Sequence, residues 1–169
     1  MERVHPCLIL NSSYIAKIDG VLNAVVVDGL PIGNSVLQGE GAGPGPTSSA
    51  LMSDLLSILR GNIKYPFGIP SFKRKKINSY NKDLYLNSIY LRFEVKDKPG
   101  VLSSITKIFA KNKISIKNLI QKPNKKNKKA SIIIITHENI EKNFNNLLSN
   151  LTKNKFVLKK PTFIRIETV

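Results

Sequence analysis

From Ser88 to the end of the chain the hydrophobic spacing switches between that of a strand and that of a helix in a fixed order, and the order leaves few folds open. Ser88 to Val95, SIYLRFEV, sets Ile89, Leu91, Phe93 and Val95 on one face against Tyr90, Arg92 and Glu94 on the other, as a half-buried strand does. Asp97-Lys98-Pro99-Gly100 reads as a turn. Val101 to Asn112 then places Leu102, Ile105, Ile108 and Phe109 along one side of a helix, with Lys107 and Lys111 outside. Ile114 to Gln121 is a second strand, Lys122 to Lys129 a basic polar turn, and Ser131 to His137 a third strand of near-continuous isoleucine. Asn139 to Asn150 is a second helix through Ile140, Phe144, Leu147 and Leu148, and Phe156 to Glu167 a last strand. The order βαββαβ predicts a two-layer ferredoxin-like plait, an α+β fold.

The first seventy residues follow no such plan. The run VHPCLIL, between Arg3 and Asn11, reads as a short buried strand near a sheet edge because of Pro6, with Cys7 as a buried structural thiol and His5 as a hydrogen-bonded structural histidine. Ser12 to Gly20 is a connection with room for one helical turn. Val21 to Asp28 and Ser35 to Gln38 are β-rich runs joined by turn residues Gly29, Pro31, Gly33 and Asn34, which predicts a hairpin. Gly39, Gly41, Gly43 and Gly45, alternating with Glu40, Ala42, Pro44 and Pro46, predict a stretch without regular structure. It feeds a helix with Leu51, Leu55, Ile58 and Leu59 on one stripe, Thr47 or Ser48 at its start and Gly61 as its stop.

A glycine-rich turn before a helix suits an anion, since free amides and the helix dipole both face it. Without a lysine of the Walker kind or G-x-G-x-x-G spacing, a tight structural crossing explains the same residues. A few strands and one amphipathic helix in about seventy residues bury too little surface to stand alone, so this module calls for a partner.

The formal charge is +16, but it is unevenly held. Residues 1–70 carry four basic and five acidic residues, a net of −1, leaving 23 basic and six acidic residues, a net of +17, for residues 71–169. The excess is lysine interspersed with asparagine and isoleucine and lacks an aromatic stacking pattern, which favours a solvated surface over a nucleic-acid interface. Lys64 to Asn87, with Tyr65, Phe67 and the cluster Lys73, Arg74, Lys75 and Lys76, reads as a basic linker. One cysteine excludes a disulfide framework and a multi-cysteine zinc site, and with no apolar run long enough to span a bilayer the chain is expected in the cytoplasm.

These residues resemble a known family. D-K-P-G-V-L at Asp97–Leu102, followed by I-S-I-K-N-L-I-Q at Ile114–Gln121, is similar to an ACT domain, a small-molecule sensing module usually specific for amino acids. R-V-H-P from Arg3, D-G-V-L-N-A-V from Asp19 and G-E-G-A-G-P-G-P-T-S-S-A-L-M-S-D-L from Gly39, ahead of that domain, resemble the C-terminal portion of bacterial homoserine dehydrogenase.

The resemblance implies an incomplete α/β dimerisation-domain segment over residues 1–70, a linker over 71–87 and an ACT domain over 88–169. It implies that Gly39, Glu40, Gly41, Ala42, Gly43 and Thr47 lie against NADP or NAD in a complete enzyme, although Glu40 stands where many relatives carry a basic residue. It implies an amino-acid effector, threonine foremost, at Asp97, Gly100, Val101 and Leu102, with Asn118 and Gln121 across from them; the same turn forms equally well without a ligand. The nucleotide domain and the acid and lysine set that work on homoserine and aspartate semialdehyde do not occur here, so no catalytic residue and no metal ligand is assigned. The expected partners are further copies, joined through the ACT domain and the dimerisation strands, and the missing dehydrogenase portion, whether the chain is a truncated product, a subunit of a split enzyme or an excised piece. A free-standing ACT sensor is the alternative.

Overall fold

The computed structural model describes residues 3–62, 65, 68–75, 80–124 and 128–168. Of the expected linker, Lys64, Phe67 and Lys76 fall outside the described residues. Contacts gather the chain into two compact units, one of residues 3–9 with 80–168 and the other of residues 10–75 where described.

The first unit is built on a sheet that is antiparallel except at one edge. Strand β1 (Cys7–Ile9) stands far from the rest in sequence; β4 (Leu86–Lys96), β5 (Ile116–Asn124), β6 (Lys129–Thr136) and β8 (Thr162–Glu167) supply the remaining width, in the order β1-β8-β4-β6-β5. A two-residue strand β7 (Asn139–Ile140) pairs with the start of β4. Helices α2 (Val101–Lys111) and α3 (Glu141–Thr152) complete the predicted βαββαβ order. Ile89, Leu91, Phe93 and Val95 from β4 meet Ile132 and Ile134 from β6, Ile105 and Phe109 from α2, and Phe144, Leu147 and Leu151 from α3 in one core. Each large side chain taken out of water there contributes roughly 1.5–3 kcal/mol, and this core carries the fold.

Several boundaries differ from expectation for local reasons. The last strand starts at Thr162 rather than Phe156, because Pro161 has no N–H to donate and residues 156–158 turn back on β4, with Lys96 N–H on Phe156 O at 3.1 Å and Leu158 N–H on Glu94 O at 2.9 Å. Helix α3 starts at Glu141 because Ile140 pairs with Leu86. Leu102, expected on the apolar side of α2, is 38% exposed, and Val101 fills the core instead. β1 pairs in parallel with β8 at the sheet's edge, which confirms the edge placement but puts this strand in the sheet of the second half. As the outermost strand it leaves Cys7 an exposed free thiol, not a buried one.

The second unit holds a 3-10 turn at Tyr14–Lys17 and the predicted hairpin, β2 (Leu22–Gly29) and β3 (Gly33–Glu40), in register from Leu22↔Glu40 to Gly29↔Gly33. Helix α1 spans Pro44–Leu59 and ends as predicted, with Gly61 at φ +73° just beyond it. Cross-strand pairing puts Val25 and Leu37 on one face of the ribbon and Val26 and Val36 on the other, so both faces are apolar. No residue of α1 is buried: Leu51, Leu55, Ile58 and Leu59 are all at least 48% exposed.

Candidate functional site

The glycine-rich stretch is shorter than its sequence suggests. Gly39 and Glu40 are the last residues of β3, held by pairing with Asn23 and Leu22, so the expectation of no regular structure fails at that end. At the other end Pro44 and Pro46 belong to the first turn of α1, where proline's missing N–H costs nothing. What remains irregular is Gly41-Ala42-Gly43. Gly43, at φ +117° and ψ 157°, caps the helix without a side-chain hydrogen bond, in a conformation that only glycine adopts readily. Gly41 is close to Asn23: a Cβ there would lie 1.6 Å from its Nδ2. Thr47 and Ser48 lie inside the helix rather than at its cap, with Thr47 N–H on Gly43 O at 3.2 Å and the Ser48 hydroxyl on Pro44 O. Gly39, Glu40, Gly41, Ala42, Gly43 and Thr47 are all exposed, a strand end, a turn and a helix N-terminus in direct succession.

The turn before α2 gathers most of the second predicted set. Gly100 caps α2 in the left-handed region, φ +84° and ψ −12°, and its carbonyl takes the Ser104 N–H at 3.0 Å. Gln121 Nε2 donates to Asp97 Oδ1 at 3.4 Å, joining β5 to the turn. The Val101 N–H reaches Lys98 O at 3.4 Å, and the amides that follow it in the first turn of α2 lack intrahelical acceptors. Asn118 stands apart. It pairs with Ile135 across a bulged register while Gln121 pairs with Ile132, so the two residues face opposite sides of the sheet.

A third constellation escaped the sequence reading. Glu141, the first residue of α3, is 4% exposed, yet its carboxylate receives Arg165 Nε at 3.2 Å and the Arg165 terminal nitrogen on the other oxygen, Asn87 Nδ2 at 2.9 Å, and Arg3 at 3.5 Å. Burial pushes the Glu141 carboxyl up, but the Arg165 hydrogen bond and charge, with Asn87 and Arg3, outweigh it and hold the group below its ordinary value. Beside it, Tyr85 stacks under Arg3, 4.7 Å from ring centre to guanidinium carbon, and donates its hydroxyl to Glu167 Oε2 at 2.9 Å. That bond, with burial and the charge of Glu167, raises the Tyr85 hydroxyl above its usual range and keeps it protonated. Arg3, His5, Tyr80, Tyr85 and Glu167 together line a cavity of about 530 Å³. One signal was available: Glu141, Phe144, Leu148 and Leu151 fall at helical spacing, which places a carboxylate on an apolar stripe.

The depressed Glu141 carboxyl sets a pH dependence. Its contribution is fully present above the unfolded value near 4.5 and is lost as pH falls through the lower folded value. Urea midpoints of the chain are expected to drop below pH 4.5, and Glu141→Gln is expected to flatten that part of the profile; parallel profiles would contradict it.

Among the described residues no group of His, Cys, Asp and Glu has the arrangement of a metal site, and no helix is long and apolar enough to cross a membrane.

Residues 89–156 match the family model of the ACT domain, and residues 1–56 match that of homoserine dehydrogenase. The homoserine dehydrogenase of Helicobacter pylori is 38% identical over 165 residues, which are 98% of this chain and 39% of that protein. That of Neisseria gonorrhoeae is 34% identical over 99% of this chain and 40% of its own length. The crystal structure of a homoserine dehydrogenase from Thiobacillus denitrificans superposes with a TM-score of 0.84 at 32% identity, over 98% of this chain and 38% of that one. The chain thus spans about two fifths of the length of the relatives it matches.

Proposed function

We propose that this chain, a C-terminal portion of the homoserine dehydrogenase family that carries an ACT domain, supplies the dimerisation surface, a cofactor-facing turn and the amino-acid regulation of a cytoplasmic, NAD(P)-dependent homoserine dehydrogenase. On this reading residues 1–70 are the dimerisation-domain segment, 71–87 a basic linker and 88–169 the regulatory domain. The observation that carries it is the bare apolar surface of the second unit. A ribbon apolar on both faces and a helix that buries nothing need covering, and relatives of about two and a half times the length hold the polypeptide to do it. A free-standing ACT sensor would leave those surfaces in water.

Gly41, Ala42 and Gly43, with Gly39, Glu40 and Thr47 on either side, then face the cofactor, whose phosphates meet the backbone amides of the turn itself and of Gly45, since Pro44 and Pro46 have no N–H to offer, and not the Glu40 side chain. On this reading the residues that dehydrogenate homoserine lie in the part of the relatives that this chain does not span. The ACT unit takes an amino-acid effector, threonine, at Asp97, Gly100, Val101, Leu102 and Gln121, while Asn118 faces a different side of the sheet and serves at most a neighbouring copy. Calorimetry tests the effector: threonine is expected to bind the chain, and Asp97→Ala to weaken binding about tenfold or more by removing the carboxylate at the turn. Equal affinity of that variant would remove the turn from the site.

A further inference from the structure

The cavity lined by Arg3, His5, Tyr80, Tyr85 and Glu167 lies within one compact unit and shares no residue with the expected cofactor and effector sets. Arg3 and His5 come from the segment matched by the homoserine dehydrogenase model, whereas Tyr80, Tyr85 and Glu167 lie on either side of the ACT match, so the cavity sits on the seam between the two.

Its charges are arranged in an unusual way. Among the described residues the Arg3 guanidinium has one carboxylate contact, 3.5 Å to Glu141, and that carboxylate is already held on both oxygens by Arg165. A guanidinium carries five donors in a planar fork, so Arg3 keeps most of them for something else. Glu167 accepts the Tyr85 hydroxyl on Oε2, and its Oε1 lies 3.9 Å from His5 Nε2. His5 Nδ1 lies 3.0 Å from the Pro6 carbonyl, which can only accept, so Nδ1 carries a proton. With the proton on Nδ1 alone, His5 turns its Nε2 lone pair toward Glu167 Oε1, and two acceptors at that separation are matched by a single ammonium donating to both. A guanidinium and a carboxylate thus border the same tyrosine, one on its face and one on its hydroxyl, without forming an ion pair with each other.

We propose that this cavity binds a small zwitterion, an α-amino acid, with its carboxylate on Arg3, its ammonium between Glu167 and His5, and its side chain against Tyr80. The volume of about 530 Å³ lies in the range of small-molecule sites. The site is separate from the turn at Asp97, and the proposal does not rest on the dehydrogenase reading. Because Arg3 and His5 precede β1 directly, a ligand held by both also fastens that strand to β8.

Titration of the 169-residue chain with each proteinogenic L-amino acid, followed by ¹⁵N–¹H resonances, tests it, with propionate and ethylamine as half-ligands. At least one amino acid is expected to shift the His5 and Tyr85 amides saturably and to slow hydrogen exchange in β1. Each half-ligand is expected to bind about tenfold more weakly or worse. Arg3→Gln and Glu167→Gln should each cost about tenfold in affinity, while Asp97→Ala, at the other site, should leave these shifts unchanged. Glu167→Gln keeps the Tyr85 hydrogen bond, so it carries the test if Arg3→Gln proves unstable. The proposal is overturned if no amino acid shifts these resonances up to its solubility limit, if propionate binds as tightly as the amino acid, or if the folded Glu167→Gln variant binds unchanged.

Discussion

Replacing Glu141 by alanine is expected to lower the unfolding free energy of the α+β unit by about 3 kcal/mol or more, the cost of breaking a buried ion pair from one side. The carboxylate is 4% exposed and is the common acceptor for Arg165, Asn87 and Arg3. Its removal strands two guanidinium groups whose side chains are only about a fifth exposed, and leaves the Asn87 amide without its acceptor. It also deletes an acid from the first turn of α3, where the helix dipole favours negative charge. Urea denaturation at neutral pH should show a lower midpoint with an unchanged slope. A loss below about 1 kcal/mol, the value of an exposed pair, would mean that the cluster is solvated and not structural.

The plait was legible because its core side chains obey the spacing of their elements. Ile89, Leu91, Phe93 and Val95 alternate as a half-buried strand must, and all four are buried. The hairpin was legible from its turn residues, and the end of α1 from Gly61. Three features were not. The partner of β1 lies about 160 residues away in β8, and no local pattern announces a pairing of that range. Gly39 and Glu40 join a strand despite a composition that argues for a loop, because β2 offers them Asn23 and Leu22 as partners. The Glu141 cluster assembles residues from the beginning, middle and end of the chain, and of these only Glu141, an acid on an apolar stripe, stands out in its own neighbourhood. Of the effector set that the resemblance implied, Gln121 reaches the turn at Asp97, while Asn118, three residues from Gln121 along a strand whose side chains alternate, faces the other side of the sheet.

The second large effect concerns association. Leu51 and Leu55 sit one turn apart on α1 and are 66% and 48% exposed, so converting both to aspartate removes little packing within the chain and none from the core of the plait. Thermal unfolding of the plait should be unchanged. If this stripe docks on the remainder of a homoserine dehydrogenase, two unpaired carboxylates would enter an apolar interface, at several kcal/mol. Activity of the reconstituted enzyme is then expected to fall about a hundredfold or more at equal protein concentration. Undiminished turnover would show that the stripe faces water in the assembly as well.

Reconstitution itself is the most direct test. The purified chain is mixed with a polypeptide carrying the part of the Helicobacter pylori relative that this chain does not span, and homoserine-dependent reduction of NADP or NAD is followed. Turnover is expected from the mixture, from neither component alone, and in proportion to the complex formed. Turnover by the 169 residues unaided, or a stable complex with none, would contradict the account.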